Sequence, residues 1–447
     1  MGDHLENLVN EINKELIDAY EHDKELFAEL LSVQGQLGLL FGERPTCPFL
    51  RPHFLSRKLY DSIRKTAELI GSAAEVVTKA ALEDDELMSR FWLTESEEKL
   101  VRFDPGYETV SVSSRLDAFV SGDEFKFLEF NAETPAGVGD QMQLEKVLAR
   151  IPIISEFLKE RSHWTPEPHR KLLQALFISY RQFGGTKSKP NIAIVDWEGV
   201  STEPEFHILS DYFESNGFPT IILDPSEIEY DGNRAVAGSF EIDILYKRVL
   251  IHEFLEKFGE GHPLVEAYKD GNLCMVNSFR VKIPHKKALF AVLTGNRYSH
   301  LFSEEQLNAI HKSIPWTRRV EDVRTFYGKE EIELLEFIRS NRERFLLKPN
   351  DDYGGKGISL GWERDESDWE IALSAALKDP FVVQERAPIT KQEFPVFEKD
   401  ARLEKLLVDF DPFLFLNEVH GGMVRLSSDS LVNVTQGGGQ TALVVLE

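Results

Sequence analysis

Apolar residues change their period along this chain. Over residues 1 to about 100 they recur at helical spacing, as in LVNEINKELIDAYEHDKELFAELL and YDSIRKTAELIGSAAEVVTKAAL, which predicts a helical N-terminal region. The period then drops to two in TVSVSSRLDAFVSGDEFKFLEFNAETPAG, where Ser121-Gly122-Asp123 supplies a turn, so a β-hairpin is expected over roughly 110–120 and 125–131. A helical stretch follows to about 185. Beyond it, NIAIVDW, EFHILSDYFESNG with its terminal Gly217, PTIILDP and EIDILYKRVL alternate as strand and helix, the pattern of a small parallel-sheet lobe over 188–280. Residues 281–447 read as a mixed α/β segment with glycine-rich turns, and 101–187 as a segment built around the hairpin. A chain of 447 residues is too long for one simple core, so two or three lobes around a shared cleft are expected.

Charge and cysteine usage narrow the function. The formal charge of −25 argues against nucleic-acid binding, which needs clustered Lys and Arg, although solubility alone also accounts for an acidic surface. Cys47 and Cys274 stand far apart, which suits a reducing cytoplasm and gives no disulfide framework or thiolate metal site. No stretch approaches the ~20 apolar residues that cross a bilayer, so no membrane association is expected. No G-x-G-x-x-G follows the first strand of the 188–280 lobe, so a dinucleotide site there has no support.

Four constellations carry candidate chemistry. Lys348 and Lys356 flank the loop Asn350-Asp351-Asp352-Tyr353-Gly354-Gly355, where glycines would let backbone N–H groups approach phosphate oxygens and the lysines would supply charge. An exposed glycine hairpin with solvated lysines explains the loop equally well. Arg115, Asp117, Glu129 and Asn131 alternate on the two hairpin strands; two carboxylates and an amide oxygen suit Mg²⁺, and Arg115 suits phosphate. A cross-strand ion pair between Arg115 and Glu129 is the simpler alternative. In Phe381-Val382-Val383-Gln384-Glu385-Arg386 an apolar strand turns polar, as an edge offering backbone donors and acceptors to adenine does. Arg425 and Ser427, followed by Asn433 and Gly437-Gly438-Gly439, combine an anion-binding arginine with glycine turns that a tight β-turn also explains.

Taken together, EFNAETPAG, KPNDDYGGKG and VVQER resemble the circularly permuted ATP-grasp enzymes, the group that includes glutathionylspermidine synthetase. The resemblance covers about residue 100 to the C-terminus and rests on order: the hairpin residues precede the lysines and the adenine strand, the reverse of ordinary ATP-grasp ligases. It implies an α/β circularly permuted ATP-grasp fold with a small pre-ATP-grasp-like parallel-sheet lobe, and ATP and Mg²⁺ as cofactors. Asp117, Glu129 and Asn131 would be metal ligands. Arg115 would contact the transferring phosphate or the acyl intermediate and Arg425 would face the reaction centre, with Lys287, Lys348, Gly354, Gly355, Lys356, Gln384 and Glu385 holding the nucleotide. Lys286 competes for the role of Lys287, and Arg248 in LYKRV would line the substrate cleft. No cysteine sits in a setting like the nucleophile of the family's amidase domain, so product hydrolysis is not expected.

The implied activity is amide formation between a small-molecule carboxylate and an amine through an acyl phosphate. Electrostatics would do most of the work, so loss of Asp117 or Glu129 is expected to damage turnover more than folding, and the Gly354-Gly355 loop to close over ATP. A small-molecule kinase using the same site, or a noncatalytic scaffold, are the alternatives in other classes. The sequence names neither substrate nor oligomeric state.

Overall fold

A computed structural model describes residues 3–41, 44–352, 354–397, 400–428 and 438–447. Its frame is an antiparallel sheet in which Gly439–Thr441, Glu418–Ser427, Ala401–Phe415, Ser113–Ser121 and Glu124–Asn131 lie side by side. The hairpin forms at the expected turn. The fifteen-residue strand Ala401–Phe415 joins distant parts of the chain: its first half pairs with Lys391–Phe397 and its second half with Ser113–Ser121.

One face of this sheet is covered by the helix Arg57–Glu83. Ser56 caps it by accepting from Leu59 N at 3.2 Å, and Leu59, Ile63, Ala67, Ile70, Ala74, Val77 and Ala81 form its buried stripe at spacings of three and four. Gly71 allows the close approach, since a Cβ there would come within 2.8 Å of Leu414 Cδ2. The helices Asp3–His22 and Lys24–Gln36 precede it. The expected N-terminal helical layer is interrupted by His53–Ser56, which pairs in parallel with Leu443–Leu446 because Phe54 and Leu55 are buried there beside Val444 and Val445.

Cys274–Val276, Ile244–Lys247, Ile192–Val195 and Thr220–Leu223 form a parallel sheet in that spatial order, with helix Glu203–Ser215 crossing between the last two. All four residues of Ile192–Val195 are buried, as expected of a parallel strand covered on both faces. A third, antiparallel sheet orders Thr317–Arg319, Phe381–Glu385, Phe345–Pro349 and Ser359–Leu360, over a core of Leu334, Ile338, Phe345, Leu347, Trp369 and Leu373. Among the described residues no helix is long and apolar enough to cross a membrane.

Candidate active site

The hairpin carries its polar residues on one face through an irregularity. Arg115 stands opposite Asn131 and Asp117 opposite Glu129, but Ala118 pairs with Phe127, leaving Leu128 as the extra residue of a β-bulge. The bulge shifts the alternation, so that Phe125, Phe127 and Phe130 are buried while Glu129 and Asn131 face the cleft. It also turns the Leu128 carbonyl outward, where it accepts from Lys348 Nζ and Gln384 Nε2, both at 3.2 Å. One bulge thus orients the acidic residues and ties the hairpin to the third sheet.

Asp117 is the hub of this face. Its Oδ1 accepts from Arg115 Nε and Asn131 Nδ2, both at 2.8 Å, and its Oδ2 from Arg115 Nη2 at 3.1 Å and Arg425 Nη2 at 2.7 Å. The considered Arg115–Glu129 pair is replaced by Arg115–Asp117, because residues two apart on one strand share a face. Two acidic residues that the sequence reading missed, Asp409 and Asp411, complete the cluster. Arg425 Nη2 donates to Asp409 Oδ2 at 2.7 Å and lies 2.9 Å from Asp411 Oδ2, while Asp411 Oδ1 accepts from Ala118 N at 3.0 Å. Their signal was the period-two acid pattern in VDFDPF, set in an apolar strand.

Three buried carboxylates thus face two guanidiniums, and their titration differs by position. Burial opposes ionisation of Asp117, but Arg115 and Arg425 prevail and hold its carboxyl well below the usual range. Burial pushes Asp409 up to about 6 against the pull of Arg425, and drives Asp411, which has no exposed surface, well above its ordinary value. The position of each carboxyl relative to the two guanidiniums, rather than its residue type, sets how readily it gives up its proton.

On the opposite wall, burial lowers Lys348 to about 8 despite Glu129 nearby. Lys287 Nζ stands 3.5 Å from Glu129 and donates to the Asp352 carbonyl. Lys286 points elsewhere, into buried ion pairs with Glu97 at 3.1 Å and Asp351 at 2.6 Å, so of the two neighbouring lysines only Lys287 faces the cleft. Asn350 accepts from Ala288 N at 2.9 Å and so fastens the glycine loop to the helix Ala288–Leu293. Gly354, Gly355 and Gly357 all take positive φ, a run of left-handed backbone that side chains disfavour. Tyr353, Asn433 and Gly437 lie outside the described residues, whereas Gly439 begins a strand.

The adenine-strand expectation needs one correction. Phe381–Glu385 is an inner strand, and the N–H groups of Glu385 and Arg386 already donate to Trp316 and Arg344 carbonyls at 2.8 and 2.7 Å. The Glu385 carboxylate accepts from Tyr327 Oη at 2.6 Å and Arg344 Nη2 at 3.0 Å. The strand therefore offers no free edge before Arg386.

The residues singled out from sequence nevertheless converge. Arg115, Asp117, Glu129, Asn131, Lys287, Lys348, Gly354, Gly355, Lys356, Gln384, Glu385 and Arg425 all line one cleft of about 730 Å³, as do Asp409 and Arg248. Glu129 and the carbonyl oxygen of Asn131, whose amide N–H turns to Asp117, are hard donors open to a cation, whereas both Asp117 oxygens are filled by Arg115, Arg425 and Asn131, so the set fits Mg²⁺ once Arg425 lets go of Asp117. A second group, Glu133, His285 and Asp351, has ligand atoms close enough for a metal, but Lys282 Nζ lies 3.2 Å from Glu133 and 2.8 Å from Asp351, and Lys286 Nζ 2.6 Å from Asp351, so cations already pair with both carboxylates.

No known family profile matches this chain. It is 24% identical over 350 residues to uncharacterized proteins of Mycobacterium bovis and Mycobacterium tuberculosis, covering 72% of this chain and spanning 58% of their length. Among solved structures it is similar to a glutathione synthetase like-effector from Globodera pallida, with a TM-score of 0.60 and 13% identity over 94% of this chain and 96% of that one. The chain thus has a mixed α/β fold similar to that of a glutathione synthetase-like protein.

Proposed function

We propose that this protein is an ATP-dependent carboxylate–amine ligase with its ATP-grasp elements in circularly permuted order. The observation that carries the reading is the convergence of residues from four separated stretches, 115–131, 287, 348–385 and 425, on one cleft with cations on two walls and carboxylates between them. The glutathione synthetase-like fold is consistent with it.

In this reading adenine lies beyond Arg386, against Gln384 and the apolar wall of Leu346 and Leu360. Lys287, Lys348 and Lys356 take the phosphates, and the glycine loop closes over them to exclude water. Asp117, Glu129 and Asn131 hold Mg²⁺, which neutralises charge on the phosphate oxygens when bound. Arg425 exchanges its bond to Asp117 for the transferring phosphoryl group while Asp409 and Asp411 keep it placed and neutralised. Arg115, tied to the Ala136 carbonyl at 2.9 Å, stays at the hairpin and faces the acyl group. The substrate carboxylate oxygen attacks the γ-phosphorus as the bond to the β-phosphate oxygen breaks and ADP leaves. The deprotonated amine then attacks the acyl carbon, the carbon–oxygen bond to phosphate breaks, and the amide forms with loss of the second amine proton.

The test is ADP release by purified protein with Mg-ATP against a panel of carboxylates, with and without amines. Amine-dependent ADP release accompanied by a new amide is expected, and Asp117→Ala abolishes it. Amine-independent turnover to a stable phosphorylated product would replace the ligase by a kinase. Failure of Mg-ATP to bind would sink both.

A further inference from the structure

The short strand Gly439–Thr441 ties the start of a helix to the reaction centre. Gln440 stands directly opposite Arg425, and Arg425 opposite Asp409, so the three form one row across the central sheet, and all of them line the cleft. Residues opposite one another on paired strands have Cβ atoms about 4.5–5.5 Å apart. Gln440 is fixed at both ends: its backbone N–H donates to the Thr46 carbonyl at 2.8 Å, and its side-chain Nε2 donates to Asp140 Oδ2. Asp140, the first residue of the helix Asp140–Leu148, therefore stands one side chain away from Arg425.

The carboxylates around Asp140 are claimed, and Asp140 is not. Asp117, Asp409 and Asp411 share Arg115 and Arg425. Glu205 accepts from Gly137 N and Gly139 N at 3.0 and 3.1 Å and faces Arg248 at 3.6 Å. Among the described residues Asp140 makes no ion pair, and its Oδ1 accepts no hydrogen bond. The side chain is half-buried and lines the cleft, so a bound molecule can reach it. Burial, foremost, and the charge of Glu205 push its carboxyl up to about 7, against the pull of Gln440 and Arg248. A carboxylate that no cation holds, titrating near the working pH, is well matched to proton transfer.

Amide formation needs such a group. A primary amine is an ammonium ion near neutrality and has no lone pair with which to attack an acyl carbon. The neighbouring acids are poorly placed to take its proton, since Asp409 already accepts three hydrogen bonds from Arg425 and Asp411 has no exposed surface.

We propose that Asp140 is the base that activates the amine. This rests on the ligase reading and adds a catalytic residue to it. The ammonium donates to Asp140 Oδ1 and its proton passes to the carboxylate. The free amine attacks the acyl carbon, and the bond from that carbon to the phosphate oxygen breaks. The second nitrogen proton leaves with the phosphate, and Asp140 returns its own to water in the cleft before the next turnover.

The experiment compares Asp140→Asn with wild type, both as the full chain with Mg-ATP and the carboxylate panel, using two kinds of nucleophile. The amines of the panel, with ethanolamine, glycine and 1,4-diaminobutane among them, are ammonium ions near neutral pH. Hydroxylamine and methoxyamine are free bases there and need no proton acceptor. Asparagine still offers an oxygen to Gln440 but takes no proton, so amide formation with the ammonium-type amines is expected to fall about 100-fold or more while hydroxamate formation stays within about threefold of wild type. The retained hydroxamate shows that the variant is folded and its ATP site intact. At sub-saturating 1,4-diaminobutane the wild-type rate levels off above about pH 7, whereas that of the variant keeps rising as the amine loses its own proton. Equal loss with both kinds of nucleophile, or an unchanged variant, overturns the proposal and leaves the ligase reading standing. A wild-type protein that forms neither amide nor hydroxamate with any carboxylate overturns that reading, and the base with it.

Discussion

Each Asp117 oxygen accepts two hydrogen bonds, three of the four from buried guanidiniums, whereas Glu129, across the hairpin, has a side chain 26% exposed, a long bond from Asn131 Nδ2 at 3.4 Å and one lysine at 3.5 Å. The expectation that losing either would harm turnover more than folding therefore divides. Asp117→Ala strips a partner from two buried guanidiniums, a change that typically costs 3–5 kcal/mol. Asp409 and Asp411 remain beside Arg425, so about 2–3 kcal/mol is expected here, read as a fall in the urea midpoint. Glu129→Gln is expected to cost less than about 1 kcal/mol, yet to lower ADP release about 100-fold or more. Equal stability of the two variants would refute the hub role of Asp117. The hairpin pair was legible in sequence because period-two polarity in an apolar run is a local signal. Asp409 and Asp411 carry the same signal but were not read, since nothing local shows that their strand lies beside Ser113–Ser121.

Elements hold the site through contacts that patterning does not reveal. Asn277, at the end of Cys274–Val276, accepts from Val112 N and Ser113 N at 2.9 and 3.1 Å and donates to the Ser113 and Ala132 carbonyls at 2.7 and 2.9 Å. One amide thereby clamps both ends of the hairpin to the parallel sheet. Asn277→Ala leaves these buried backbone groups unpaired, and since each costs about 1–3 kcal/mol, a loss of about 3 kcal/mol or more is expected in denaturant titration. The Leu128 bulge was legible in principle, as the slip from Phe125 and Phe127 to Phe130, but strict alternation was assumed. The helix Asp140–Leu148 gives a pH dependence. Burial raises both Asp140 and Glu145 to about 7, above the ordinary carboxyl value near 4. Below about pH 4 both states are protonated. Between 4 and 7 the unfolded chain ionises while the folded one keeps its protons, so this contribution to stability is lost as pH rises and is gone above about 7. Both side chains are partly exposed, which limits the effect to about 1–2 kcal/mol. Asp140→Asn with Glu145→Gln should gain on wild type between pH 5 and 8 in urea midpoints; parallel curves would contradict it.

At the scale of the molecule, local periodicity pointed to the hairpin, to strands of the parallel sheet and to helices, but not to the pairings that join the first and last parts of the chain. Long-range strand pairing depends on which edges remain available after local folding, and no window of sequence contains both partners. Leu443–Leu446 illustrates this: it runs between His53–Ser56 and His163–Trp164 as the middle strand of a three-stranded sheet. Leu443, Val444 and Val445 are buried, and Leu443 N and O bond the Gln141 side chain at 2.9 and 3.0 Å. Because His53–Ser56 runs directly into the helix that supports the central sheet, this short strand fixes the helix on which the acid cluster rests. Val445→Asp places a carboxylate with no partner at a fully buried position, where a charge is tolerated only by protonation or by expelling the strand. The expected result is loss of the strand and loosening of Arg57–Glu83, seen as faster amide exchange through residues 53–83 and loss of ADP release, although Val445 is not among the cleft residues. Exchange confined to residues 440–447 would mean that the helix is held by the sheet alone.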